Sequence, residues 1–66
     1  MDAELKREVQ LRCMDLRAYY TLHEIALTCG VPIGSILDVI NGHILPDKIW
    51  QNIERGTRHL MKEKRI

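Results

Sequence analysis

Leu5, Val9, Cys13, Leu16 and Tyr20 recur at steps of four, four, three and four residues, with Lys6, Arg7, Glu8, Arg12 and Asp15 around them. One apolar face set against a charged one predicts an amphipathic helix over about residues 3–18. The next stretch, "TLHE" from Thr21 to Glu24, has capping-box spacing: a hydroxyl that accepts from the Glu24 N–H and a carboxylate that reaches back. Leu22, Ile25, Ala26 and Cys29 then share one face of a short helix, which Gly30 stops. Pro32 follows where a missing N–H is harmless in a first helical turn. Ile36, Val39 and Ile40 make the next inward stripe, closed by Asn41-Gly42. Residues 43–45 read as a loop, and Pro46-Asp47 opens a last segment with Ile49, Ile53 and Leu60 on one face. Gly56 is expected to split that segment, with Thr57 capping a final basic turn. No strand is predicted anywhere.

Sixty-six residues make one small domain, residues 1–66, with a thin core. That core is Leu, Ile, Val and Ala without a single Phe, which favours helices packed on helices. The longest unbroken apolar run is three residues, too short for a membrane span or a secretory core. A cytoplasmic protein is therefore expected, with Cys13 and Cys29 as free core thiols in a reducing compartment. The three histidines are scattered and no Cys-x-x-Cys is present, so neither a metal nor another cofactor is expected.

Two short helices joined by a three-residue turn that starts with Gly have the spacing of a helix-turn-helix, here about residues 21–41. That geometry needs a small residue where the second helix crosses the first, and Ala26 supplies it. It also needs apolar residues around the turn and in the second helix, which Cys29, Val31, Ile36 and Val39 provide. The stretch "EIALTCGVPIGSILDVINGHILPD" resembles the lambda-repressor and Cro-like family of DNA-binding domains. Its ending carries much of the likeness: Asn41-Gly42, three residues, then Pro46-Asp47. The resemblance covers about residues 21–55. It implies an all-α, compact bundle of four to five helices, acting as a dimeric transcriptional regulator, repressor-type, on double-stranded DNA.

Carried over by position, the resemblance assigns Pro32, Ile33, Gly34 and Ser35 to the groove entrance. Leu37, Asp38 and Asn41 fall on the exposed side of the second helix, with His43 in the loop beyond. Many family members hold Gln, Arg, Lys or Thr at several of these positions, where this chain offers apolar residues, a Gly and an acid. Net charge is +1, and residues 18–47 contain Glu24, Asp38 and Asp47 but no Lys or Arg. Phosphate attraction must then come from the ends: Lys48, Arg55 and Arg58, helped by Arg12 and Arg17. Base contacts remain chemically open to Asn41 (adenine), Asp38 (cytosine), and Ile33 or Leu37 (thymine methyl). Free N–H groups at the start of the second helix can hold a phosphate without a charged side chain.

Trp50 steps off the Ile49–Ile53 face by one residue, so Trp50 and Ile53 are candidates for a dimer contact; the first helix is the other. A homodimer is expected because two linked half-sites multiply affinity. The gap in basic residues keeps a second reading open. In it the fold is a protein-interaction module (anti-repressor, antitoxin or polymerase adaptor) docking through Ile33 and Leu37. A third reading is excisionase-like architectural binding. No nucleophile-base pair, carboxylate pair or glycine-rich loop suggests an enzyme or a small-molecule substrate.

Overall fold

A computed structural model describes residues 1–64 of the chain. Four helices follow one another: α1 (Ala3–Leu16), α2 (Leu22–Cys29), α3 (Ile33–Ile40) and α4 (Asp47–Glu63). All regular structure among the described residues is helical, as the periodicity requires.

The helix ends are set by local chemistry. Asp2 caps α1 by accepting from the Leu5 N–H at 2.8 Å. The Thr21–Glu24 capping box forms in both directions, at 3.1 Å and 2.8 Å. Gly30 ends α2 and Gly42 follows α3, at φ +70° and +76°, a left-handed conformation that favours glycine. α1 stops two residues before the expected end. The Tyr19 and Tyr20 N–H groups both turn back to the Leu16 carbonyl at 2.9 Å, which closes the helix there.

α3 and α4 each pack on both α1 and α2, while α3 and α4 barely touch each other, and neither do α1 and α2. The four helices therefore stand on two diagonals, with α3 and α4 on opposite sides of the α1–α2 pair. α1 and α4 run parallel: Lys6 lies over the Trp50 ring, Arg12 meets Glu54, and Lys64 meets Asp15. Val9, Cys13, Leu16, Ile25, Ile36, Val39 and Ile53 fill the space between them and are fully buried.

α4 corrects two expectations. It is one unbroken helix of 17 residues, and Gly56 lies inside it, buried, where α2 crosses. A Cβ on Gly56 would sit 2.7 Å from Cys29 Cα and overlap Cys29 Sγ, so the glycine is a point of close approach and not a stop. Thr57 caps nothing. Its buried hydroxyl donates to the Ile53 carbonyl one turn back, at 2.7 Å.

Arg12 is likewise engaged inside the fold. Its guanidinium donates to the Glu54 carboxylate at 3.0 Å, the Glu54 carbonyl at 3.2 Å and Glu8 at 3.1 Å, tying α1 to α4. Burial alone would lower its pKa, but the hydrogen bonds to Glu54 and Glu8 outweigh it and the pKa is raised. The side chain is therefore a strut between helices, and the expected role as a phosphate helper does not fit it.

Candidate nucleic-acid interface

α2 and α3 are bent 106° from each other across Gly30–Pro32. That lies within the range of about 90–120° found in helix-turn-helix units. The bend follows from the turn: Gly30 reverses the chain, Val31 is buried beneath it, and the Val31 N–H bonds to the Ala26 carbonyl at 3.1 Å. Ala26, 2% exposed, leaves room for α3 to start close against α2.

α3 buries Ile36 and Val39 and half-buries Ile40 and Ser35. Pro32, Ile33, Gly34, Leu37 and Asn41 form its open side. Pro32 provides no side-chain cap, so the Ile33 and Gly34 N–H groups stand at the open end of the helix. Space above Gly34 is clear to at least 4 Å. At the far end, Asp38 is already engaged. Its Oδ1 meets His43 Nδ1 at 3.1 Å and its carbonyl accepts from the His43 N–H at 2.8 Å, closing the loop onto α3. The cytosine-accepting role assigned to Asp38 must compete with that contact.

The structure brings some of the expected residues together and separates others. Pro32 to Asn41, with His43, lie along one surface, whereas Lys48, on the first turn of α4, shares the outer face of that helix with Arg55. Arg55 and Arg58 do not join them, because they lie on the outer face of α4, across the diagonal from α3. Trp50 and Ile53 are not surface residues at all. They are 5% and 0% exposed, so the dimer contact assigned to them is corrected to a core role. The buried face of α4 is wider than one stripe because it meets two helices.

Two cations missed by sequence reasoning take the place of Arg55 and Arg58. Lys6 and Arg7 on α1 line an open concavity with Gln10, Gly42, His43 and Ile44 at the end of α3. Gln10 fixes this junction by donating to the Ile40 carbonyl at 3.0 Å. Lys6 stands 5.6 Å from the centre of the Trp50 ring, a cation–π contact that holds its ammonium near the surface. No local signal announces this, since 30 residues separate Gln10 from Ile40.

No protein family, characterised protein or solved structure matches the chain. Geometry and electrostatics therefore carry the functional reading. The surface has an apolar-to-neutral centre (Ile33, Gly34, Leu37, Asn41) with Lys6 and Arg7 at one end. At its other end Leu27, 74% exposed, adjoins a shallow apolar concavity formed with His23, Val31, Pro32 and Ile33. Cys13 and Cys29 are buried free thiols and lie away from it.

Proposed function

We propose that the chain binds double-stranded DNA through the α2–turn–α3 unit, as a small transcriptional regulator of the lambda-repressor-like kind. The observation that carries this reading is the 106° bend with the outer side of α3 left open. In the proposed complex the start of α3 enters the major groove, and the Ile33 and Gly34 N–H groups meet a phosphate. Asn41 reads adenine, Ile33 and Leu37 touch thymine methyls, and Lys6 and Arg7 hold the backbone at the far end.

Selection of duplexes from a random pool at about 100 mM salt tests it, and enrichment of a motif is the expected result. Asn41→Ala should then relax preference at one base pair, at a cost of about 1–3 kcal/mol. Lys6→Ala or Arg7→Ala should weaken all duplexes alike and flatten the salt slope by about one each. A sequence-blind loss from Asn41→Ala, or no enriched motif, sinks the base-reading role.

The reading takes the protein as a homodimer, and the outer face of α1 is the surface that supports it. Glu4, Leu11 and Met14 stand there at steps of seven and three, with Leu11 and Met14 about half exposed. Antiparallel pairing of two copies would set Leu11 against Leu11 and Glu4 near Arg17 of the other copy. Leu11→Glu with Met14→Glu should give a folded monomer by sedimentation. An unchanged sedimentation profile moves the contact elsewhere.

One observation favours a second reading, a protein-docking module. Leu27, Ile33 and Leu37 are exposed apolar side chains in a stretch without any cation. Loss of a protein partner in Ile33→Asp and Leu37→Asp variants, with no duplex captured by the parent, would establish it.

A further inference from the structure

Lys48, Gln51, Arg55, Arg58 and Lys62 recur along α4 at steps of three, four, three and four, and every one of them is exposed. They form a single stripe on the side of the helix opposite Ile53 and Leu60. From Lys48 to Lys62 it is about 21 Å long, at a rise of about 1.5 Å per residue. Four cations stand on it with no carboxylate in line. The nearest acid, Glu54, is held at its edge between Arg12 at 3.0 Å and Arg58 at 3.7 Å. Asp47 and Glu63 flank its two ends, and Arg55 donates to Asn52 at 3.1 Å beside it.

We infer that this stripe is a second duplex-binding surface, which holds the phosphate backbone of a separate DNA segment without reading sequence. Charge complementarity selects the occupant. A straight row of cations, Lys48 about 10 Å from Arg55 and the next two steps about 5–6 Å, suits a polyanion, whose backbone offers a charge about every 3.4 Å along each strand. A protein partner would have to be acidic along the whole stripe, because the outer side of α4 offers no aromatic anchor beside its arginines. A membrane surface requires apolar residues beside the basic ones, and those of α4 are turned into the core. Because α3 and α4 lie on opposite sides of the α1–α2 pair, this surface and the α3 surface face away from each other. One DNA segment cannot lie along both. The word "second" rests on the α3 reading, whereas the backbone contact by α4 does not.

The test compares the unaltered chain with an Arg55→Gln/Arg58→Gln/Lys62→Gln variant and, separately, a Lys6→Gln/Arg7→Gln variant. Each is checked for native helicity first. Binding to a scrambled duplex of about 20 bp, two helical turns, is measured from about 50 to about 200 mM salt. The α4 variant should lose about two to three in the slope of log K against log salt. In a capture assay, the unaltered chain held on one immobilised duplex should recruit a second, labelled duplex, and the α4 variant should not. An unchanged slope overturns the α4 contact whatever becomes of α3. A reduced slope without recruitment overturns the second segment and leaves α4 as a backbone contact on a single duplex. Tighter binding to phosphatidylserine vesicles than to duplex, abolished by the same variant, overturns DNA as the occupant. Failure of the α3 reading shows instead as a missing motif and a Lys6/Arg7 variant without effect.

Discussion

Gly56→Ala should lower the stability of the domain by about 1–3 kcal/mol, although alanine is the better helix former by about 1 kcal/mol. The added Cβ would lie 2.7 Å from Cys29 Cα, where carbon atoms normally rest about 3.5–4.0 Å apart. Relief requires α2 and α4 to separate by roughly 1 Å along their crossing. Such a shift loosens the packing of Ile25, Cys29, Ile53 and Leu60 together. A domain of this length has about 3–10 kcal/mol in total, so the loss is a large share of it. A thermal melt should show the midpoint about 5–20 °C lower. Trimming the neighbour with Cys29→Ala should not restore it, because the backbone Cα remains in the way. Gly34→Ala is the control: its new methyl meets nothing, and stability should hold or rise. Equal melting of Gly56→Ala and the parent would refute the close crossing of α2 and α4.

The second large effect is expected in alkali. Burial pushes the Cys13 thiol up to about 12 and the Cys29 thiol up to about 11, from an ordinary value of 9.0. The proximity of Cys29 adds to the shift of Cys13, and Arg12 opposes it. Above pH 9 the unfolded chain gives up these protons while the folded chain keeps them, so the unfolded state binds fewer. Stability from the buried thiols is therefore complete below pH 9 and falls as pH rises, through 11 for Cys29 and 12 for Cys13. The slope is about 1.4 kcal/mol per pH unit for each thiol, or nearly 3 for the pair. Urea unfolding in reductant at several values between about pH 8 and pH 10.5 measures it. A Cys13→Ala/Cys29→Ala variant should be less stable at neutral pH but much flatter in its pH dependence. Parallel curves for variant and parent would remove the thiols as the cause.

What the sequence made legible follows from how far each signal reaches along the chain. The Thr21–Glu24 box, the Gly30 and Gly42 stops and the stripes of α2 and α3 act within one or two turns. Residue identity alone is enough to place them. Gly56 looks the same locally as Gly30, yet one ends a helix and the other sits inside one. The difference is Cys29, 27 positions earlier, and no local pattern contains it. Trp50 was misleading for a related reason. A helix packed against two neighbours buries a broad face, so one residue off the Ile49–Ile53 line is still inside. Arg12 belongs with these, since its partner Glu54 stands 42 residues away. For the candidate site, the run from Pro32 to Asn41 and His43 could be read in order. Which cations accompany it could not, because that depends on α1 and α4 lying on particular sides of α3.

The parallel run of α1 and α4 bears on how the chain is made. Arg12 waits for Glu54 and Asp15 waits for Lys64, contacts spanning 42 and 49 positions. A ribosome adding about 5–20 residues per second takes a few seconds to cover that interval. Throughout it Ile25, Ala26 and Cys29 have no α4 to cover them, so the half-made chain presents an apolar window to its surroundings. Chaperone dependence, or aggregation of chains stalled with α4 still inside the ribosome, should therefore persist until α4 is free to dock and fall away then.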